Sequence, residues 1–490
     1  MKLKKGFIIL AIFLMFFSCM SIISAAENMT VDESVNVIGE VTSLENETEV
    51  VDVIGEVTSL ENETEVVDVI GEVTSLENET EVVDVIGDFT SLQNETVNKT
   101  SVALDKDYAF DAESDEKNTG IVIDQDDFEI DGQGHTIDGK GQSRIFVVNA
   151  KNVVLKNINF LNGKATNGGA LLVNENAENL KIFDCKFENN SADIGGAIDC
   201  NAKGCEVKNT LFNKNHAIGA GAACFKYSTT LIDDVYTNND ATYCGAIIYC
   251  GNIKLGEKIS LGNSPDTSKG LIENCVFDNN TAEYYGVGST NAIGQIRNTN
   301  FTNNHAQTCS ALTIGTSYSD GTFQIFGCNF INNSADDYGA IFSKSNSKSI
   351  TISKCNFNNN TAGRGAAICS MVRGVGQIFA CNFNGNHAKE GGAIYATAFN
   401  LINRCNFDNN TAQIGGAISI NQSYPLTFKI GYSSFTNNAG NDGEAIHSTS
   451  DVSAYGNSFD GKDLILTNNS KFHEFHDKME WGKYVRESTI

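Results

Sequence analysis

The chain has 490 residues with 45 Gly but 2 Pro, and its 61 Asp and Glu against 34 Lys and Arg leave a formal net charge of -27. Such a length, with many turn formers and almost no Pro to interrupt strands, excludes one compact globule and favours a repeat architecture. The acidity excludes a nucleic-acid partner, because phosphate neutralisation needs clustered Lys and Arg.

Lys2, Lys4 and Lys5 precede an apolar run from Phe7 to Ile23, and Ser24, Ala25 and Ala26 offer small residues for cleavage. This order predicts a secretory signal peptide over residues 1–26 and a secreted or cell-surface protein. The run is long for a signal. Kept uncleaved, it could just span a bilayer, and it is the one membrane contact the sequence suggests. The stretch from Lys471 to Ile490 is polar and reads as a C-terminal tail, expected from residue 466 and without a membrane anchor.

Residues 27–104 hold the motif VIGEVTSLENETEVVD, unchanged at Val37, Val53 and Val69, then altered to VIGDFTSLQNETVNKT from Val85. With nineteen Asp and Glu and one Lys between residues 31 and 100, this region is expected to be an extended stalk or disordered. Its Val-Val-Asp-Val-Ile segments leave a small β-solenoid as the alternative.

A second repeat occupies residues 105–465. Its marker is Phe at 160, 187, 212, 277, 301, 330, 357, 383, 407, 435 and 459, with Tyr236 in the fourth place and an insertion between Tyr236 and Phe277. In CKFENNSADIGGAI, Cys185, Phe187 and Asn189 alternate and are expected on one inward face, with Asn190 starting a turn and Gly195-Gly196 turning the corner into the next strand. No such coil can bury its inner face alone, so coils must stack. The expected fold is all-β, a right-handed parallel β-helix of about twelve coils, roughly 55 to 60 Å long at the strand spacing. The conspicuous Phe, Asn and Gly are then architectural.

Cysteines number 14, and six of them, Cys185, Cys275, Cys328, Cys355, Cys381 and Cys405, share the place two residues before Phe, which reads as a buried ladder. Disulfides remain the alternative in an exported chain, with off-register cysteines such as Cys200 and Cys205 the better candidates for local bridges.

Groups that suggest chemistry have architectural competitors. His216, His305 and His387 share one repeat position three coils apart, roughly 14 Å, too far for one metal ion. Asp124, Asp126, Asp127, Glu129 and Asp131 lack the spacing of an EF-hand and suit a one-sided strand in the N-terminal cap. His473, Glu474 and His476 are too close for HExxH. No catalytic, cofactor-binding or metal-binding residues are expected. The enzyme alternative is a pectate-lyase-like solenoid acting as a polysaccharide lyase or glycoside hydrolase, which needs converging carboxylates with a cation or a basic residue. Ligand contacts are expected where loops interrupt the repeat, at Tyr243, Tyr249, Tyr284, Tyr285 and Tyr318. Glycosylation is expected at Asn46, Asn62, Asn78, Asn94 and Asn98, whereas solenoid acceptors such as Asn189, Asn279, Asn332, Asn359 and Asn409 would be blocked if they point inward.

FENNSADIGGAI, FNGNHAKEGGAI and FDNNTAQIGGAI resemble the repeat of polymorphic outer-membrane-protein-like surface proteins. IDGQGHTIDGKGQSRIF followed by KNVVLKNINFLNG is similar to the β-helix of adhesin-like proteins of methanogenic archaea. The resemblance implies a non-enzymatic surface protein whose partners are cell-surface glycans or proteins. A structural envelope component is the other non-enzymatic alternative. The chain departs from those families in showing no C-terminal transmembrane segment, autotransporter barrel or immunoglobulin-like repeats.

Overall fold

The computed structural model describes residues 86–460 except 118, 250, 255–259, 264–268, 291–292, 316–321, 344–348, 372–374, 398 and 422–426, and beyond them the strands Leu464–Leu466, Phe472–Glu474 and Val485–Glu487. The signal segment, the three identical acidic copies, Tyr318, Asn46, Asn62 and Asn78 lie outside the described residues.

Each coil repeats the same sequence of short strands, as in Lys181–Phe183, Lys186–Glu188, Ser191–Ala192 and Ile198–Cys200. Each pairs in parallel with its counterparts in neighbouring coils, the short strand beginning its own sheet at Ser191–Ala192, which builds a leading sheet of 15 strands, a phenylalanine sheet of 14, a short sheet of 10 and a closing sheet of 15. This is an all-β parallel β-solenoid, and the coils counted on the Phe column are extended by caps at both ends. The insertion after Tyr249 contains an antiparallel hairpin, Gly251–Lys254 with Ser260–Asn263.

The core is a set of columns. From Phe160 to Phe459 the rings stack with centroids 4.4 to 5.1 Å apart and planes within 10°. Ile182, Val207 and Leu231 face them from the leading sheet, and Ile198, Ile341, Ile368 and Ile394 from the closing sheet, all buried. The Cys ladder is buried as expected, but its thiols are also hydrogen-bonded: Cys185 Sγ donates to the Phe183 carbonyl at 3.2 Å and Cys355 Sγ to the Ser353 carbonyl at 3.2 Å. That explains why Thr210, Thr299 and Ser433 fill the same column, since Thr210 and Thr299 donate to the matching carbonyls at 3.0 Å. Burial pushes the Cys185 thiol up to about 12, so it is protonated and unreactive at neutral pH. Off the ladder, Cys200 Sγ and Cys205 Sγ approach to 3.0 Å and carry free thiols in this structure.

The asparagines correct the expected facing. Asn189 has φ 55° and its side chain lies outside, whereas Asn190 is 1% exposed. The left-handed residue ends the strand and rotates its successor inward, so the first Asn supplies a turn that L-residues other than Asn and Asp resist. The second builds a buried ladder: Asn304 Nδ2 donates to Asn333 Oδ1 at 2.9 Å and Asn333 Nδ2 to Asn360 Oδ1 at 3.0 Å. The solenoid acceptors Asn189, Asn279, Asn332, Asn359 and Asn409 are therefore exposed, and the inward residues are their neighbours Asn190, Asn280, Asn333, Asn360 and Asn410.

The Gly pair has two separate reasons. Gly195 has φ 62°, and a Cβ on Gly196 would meet the Gly221 carbonyl of the next coil at 2.1 Å.

The N-terminal boundary lies earlier than residue 105. Residues Phe89–Thr96 form a helix whose N-cap Asp88 accepts from Ser91 N at 2.6 Å, and Leu92, fully buried, seals the first coil. The altered fourth copy of the acidic motif is thus part of the solenoid, and its differences from the copy at Val69 are specific. Asp88 replaces Glu72, Phe89 replaces Val73 and Gln93 replaces Glu77. Gln93 accepts from Val122 N at 2.6 Å and donates to the Val122 carbonyl at 3.0 Å, so one amide supplies the hydrogen bonds that an open strand edge would lack. A carboxylate could only accept. Gln93→Glu is expected to lower stability by about 1–3 kcal/mol, read as earlier thermal unfolding and faster amide exchange across Ile121–Ile123. At the other end, Phe472–Glu474 pairs with Val452–Tyr455, and Val485–Glu487 pairs with Leu464–Leu466, so strands continue into the expected tail.

Candidate functional site: a tyrosine-lined corner

In the closing sheet even the outward residues are buried, as at Cys224, Ile248, Phe342, Cys369 and Tyr395. The cause is the corner segment before each closing strand, which lies against this outer face and stacks on itself through single bridges from Ala220 through Cys244, Tyr285, Cys309 and Tyr338 to Arg364. Two small apolar clusters result outside the main core, one around Cys224 and Cys244 and one around Cys309 and Cys369.

This corner brings together three of the tyrosines expected from the sequence. Tyr243 and Tyr284 stack at 4.9 Å with an interplanar angle of 26°, and Tyr284 is 41% exposed. Tyr285 is half-buried between Cys244 and Cys309, and burial raises its hydroxyl pKa. Tyr249 does not belong with them. Its side chain turns into the solenoid core at 3% exposure, and its hydroxyl donates to the Thr229 carbonyl, so it offers no surface to a ligand. Sequence reasoning missed Tyr338, stacked on Phe342 at 4.3 Å, and Tyr395, with the Arg364 guanidinium 5.4 Å over its ring. Tyr338 lies one residue before the corner Gly339, as Tyr285 lies before Gly286, a signal visible once the Gly column is aligned.

The corner supplies aromatic faces and hydroxyls. Its cysteines are poor nucleophiles: burial raises the Cys244 and Cys369 thiols and lifts Cys309 to about 11.

A groove of about 490 Å³ lies near the N-terminal coils, lined by Lys140, Lys164, Lys214, His216 and Asp138 among others. Asp138 is its one carboxylate, and it is committed: Oδ1 accepts from Lys140 N at 2.7 Å and Asn162 Nδ2 at 3.0 Å, and Oδ2 meets Lys140 Nζ at 3.1 Å. Paired acids for glycoside hydrolysis are therefore not what this groove presents.

The acidic run at Asp124–Asp131 and the histidines resolve as structure. Asp124 Oδ1 accepts from Asn149 Nδ2 at 2.6 Å, Asp127 Oδ1 from Asn152 Nδ2 at 2.8 Å, and Asp131 Oδ1 from Asn157 Nδ2 at 2.9 Å. Each acid heads an outer ladder whose rungs donate toward the N-terminus, and a head residue needs only to accept. His216, His305 and His387 each bond to the next coil, at Asp240, Ser334 and Thr411. Among the described residues no three His, Cys, Asp or Glu side chains are grouped to hold a metal ion.

Two consecutive coils match a known repeat. Residues 354–371 and 380–397 fit the model of the Chlamydia polymorphic membrane protein repeat. The matched segments contain Phe357, Asn360, Ile368, Phe383, Asn386 and Ile394, all buried, so the likeness is to a coil of a polymorphic-membrane-protein-like β-helix. No curated protein and no solved structure matches the chain. Asn94 and Asn98 are both exposed, Asn94 on the capping helix and Asn98 just after it.

Proposed function

We propose that this chain is an exported, non-enzymatic, adhesin-like protein whose β-helix is displayed at the cell surface to contact glycans or proteins. The match of two coils to the polymorphic membrane protein repeat carries the reading, because that repeat belongs to outer-membrane surface proteins. The physical argument agrees with it. A solenoid of this kind devotes its repeated residues to columns and leaves long, regular outer faces free to vary, which suits contact over an extended surface better than chemistry at one point. The N-terminal segment with Lys2, Lys4, Lys5 and the run from Phe7 to Ile23 supplies the export signal, cleaved after Ala26.

The test is expression of the full chain with a C-terminal epitope, followed by antibody labelling and protease shaving of intact cells. Surface labelling, a mature N-terminus at Glu27 and increased adherence of the cells are expected. Retention of the whole chain inside the cell would overturn the reading, and polysaccharide cleavage by the purified protein would replace it with the enzyme alternative.

A further inference from the structure

The turn between the leading sheet and the phenylalanine sheet holds one residue per coil with positive φ. In the first coils that residue is Asn or Asp, as at Asn157, Asp184, Asn209, Asp233, Asn274 and Asn298. From Gly327, at φ 66°, the column changes, and it continues as Lys354, Ala380, Arg404 and Tyr432, all still at φ between 50° and 54°. Left-handed backbone is costly for these types, and such a departure at a place where Asn fits is a reason to look for function.

The residues just before them change as well. Phe326 and Phe379, 41% and 39% exposed, occupy the outward end of the leading strands, and Tyr432 is 61% exposed. Lys354 Nζ sits 5.1 Å over the Phe326 ring and the Arg404 guanidinium 5.8 Å over the Phe379 ring. Tyr432 meets Tyr455 edge to face at 5.3 Å. Along successive coils the surface therefore reads ring, cation, ring, cation, ring, with like groups two strand spacings, roughly 9.6 Å, apart.

Amides flank this stripe on both sides. On the leading sheet Gln295 Nε2 donates to Gln324 Oε1 at 2.8 Å. On the phenylalanine sheet Asn329, Asn356 and Asn382 form an outward ladder, each donating to the coil before at 2.7 to 2.9 Å. Among the described outward residues of these two sheets between Asn298 and Tyr432, Asp408 is the one acid, in a chain whose net charge is -27.

We propose that this stripe binds a linear polysaccharide bearing a carboxylate on alternate sugars. This rests on the surface-contact reading above and names its partner class. Sugar ring faces stack on exposed aromatic rings, hydroxyls pair with amides that both donate and accept, and a carboxylate meets Lys354 or Arg404. The stripe repeats at even steps, as a linear polymer does. Its cations are sparse, one every second coil, which matches an alternating uronate and not a densely sulfated chain.

The mature chain is tested by calorimetry against three probes: a hyaluronan dodecasaccharide, dextran sulfate and neutral dextran. Hyaluronan is expected to bind at least tenfold more tightly than dextran, with affinity falling as salt rises. The variant pair Lys354→Asn and Arg404→Asn installs the residue that earlier coils carry, so it should keep or raise the thermal midpoint while losing at least tenfold in hyaluronan affinity. Phe326→Ala with Phe379→Ala should lose as much without altering the salt dependence. Unchanged binding in the Asn pair, tighter binding of dextran sulfate than of hyaluronan, or no binding to hyaluronan overturns the proposal. Cell adherence by the surface-displayed chain, measured in parallel, separates the two readings. Adherence that survives the Asn pair sinks the stripe and leaves the surface role standing, and an intracellular chain sinks the surface role itself.

Discussion

Replacing Asn333 by Ala is expected to destabilise the solenoid by about 2–6 kcal/mol, and replacing its neighbour Asn332, held at φ 55°, by Ala to cost only the left-handed backbone term of about 1–2 kcal/mol. Asn333 Oδ1 accepts from Asn304 N at 3.1 Å and Asn304 Nδ2 at 2.9 Å, while its Nδ2 donates to the Phe301 carbonyl at 2.9 Å and to Asn360 Oδ1 at 3.0 Å. Its removal orphans the Asn304 N–H and the Phe301 carbonyl in a dry interior, and each such group costs about 1–3 kcal/mol. Asn332 makes one outer contact, Nδ2 to Asn303 Oδ1 at 3.4 Å, beside solvent that can replace it. Coils depend mainly on their neighbours, so the loss should be largest in amide exchange around residues 301–360 and smaller toward the ends. Equal effects from the two variants would show that the inner ladder contributes no more than the outer one.

That pair of asparagines also marks the limit of what the sequence makes legible. The coil, its stacking and the Phe column follow from spacing alone, because any in-register parallel stack must superimpose the same residue on itself. The facing of Asn189 and Asn190 does not follow from alternation. Period-two counting carries Phe187 to Asn189 on one face, but a positive φ at Asn189 breaks the period and turns Asn190 inward. The capping helix was hidden for a different reason. Its sequence is nearly that of three acidic copies, and only the demand of an open strand edge at Val122 shows why Gln93 is not Glu.

The candidate surfaces were legible in part. Tyr243, Tyr284 and Tyr285 stand out beside the insertion, and they do share a corner, whereas Tyr249, at the end of the strand that follows Tyr243, turns inward to reach the Thr229 carbonyl. The stripe from Phe326 to Tyr432 is scattered over more than a hundred residues of sequence, and its members look like isolated exceptions until the coil register lines them up. Function in this fold is written down the columns, where a reading along the chain sees one letter at a time.

Asp234 gives the second large expectation, which runs opposite to the usual behaviour of a carboxylate. It occupies the Cys column, fully buried, where other coils carry Cys185, Thr210, Cys275 or Thr299. Its Oδ1 accepts from Thr210 N at 2.9 Å, but its Oδ2 has no partner, and the Tyr236 hydroxyl in the neighbouring Phe column is also unpaired. Desolvation pushes the Asp234 carboxyl well above the ordinary carboxylate value, with the negative charge of Asp233 adding to the rise. The folded chain therefore keeps a proton that the unfolded chain releases. Stability associated with this group is fully present below the unfolded carboxylate pKa, about 3.9, and is lost as pH climbs from there to the raised folded value. Asp234→Thr installs the residue found at Thr210 and Thr299, whose hydroxyls accept the preceding coil's N–H at 3.4 and 3.3 Å. The variant is expected to gain about 1–3 kcal/mol over the native chain at pH 7, and the gain should shrink as the pH approaches 4. Thermal midpoints of both proteins across that range measure it. A gain that is independent of pH would assign the effect to packing, and a loss at every pH would mean that the Asp234 carboxyl has found a partner the column does not otherwise provide.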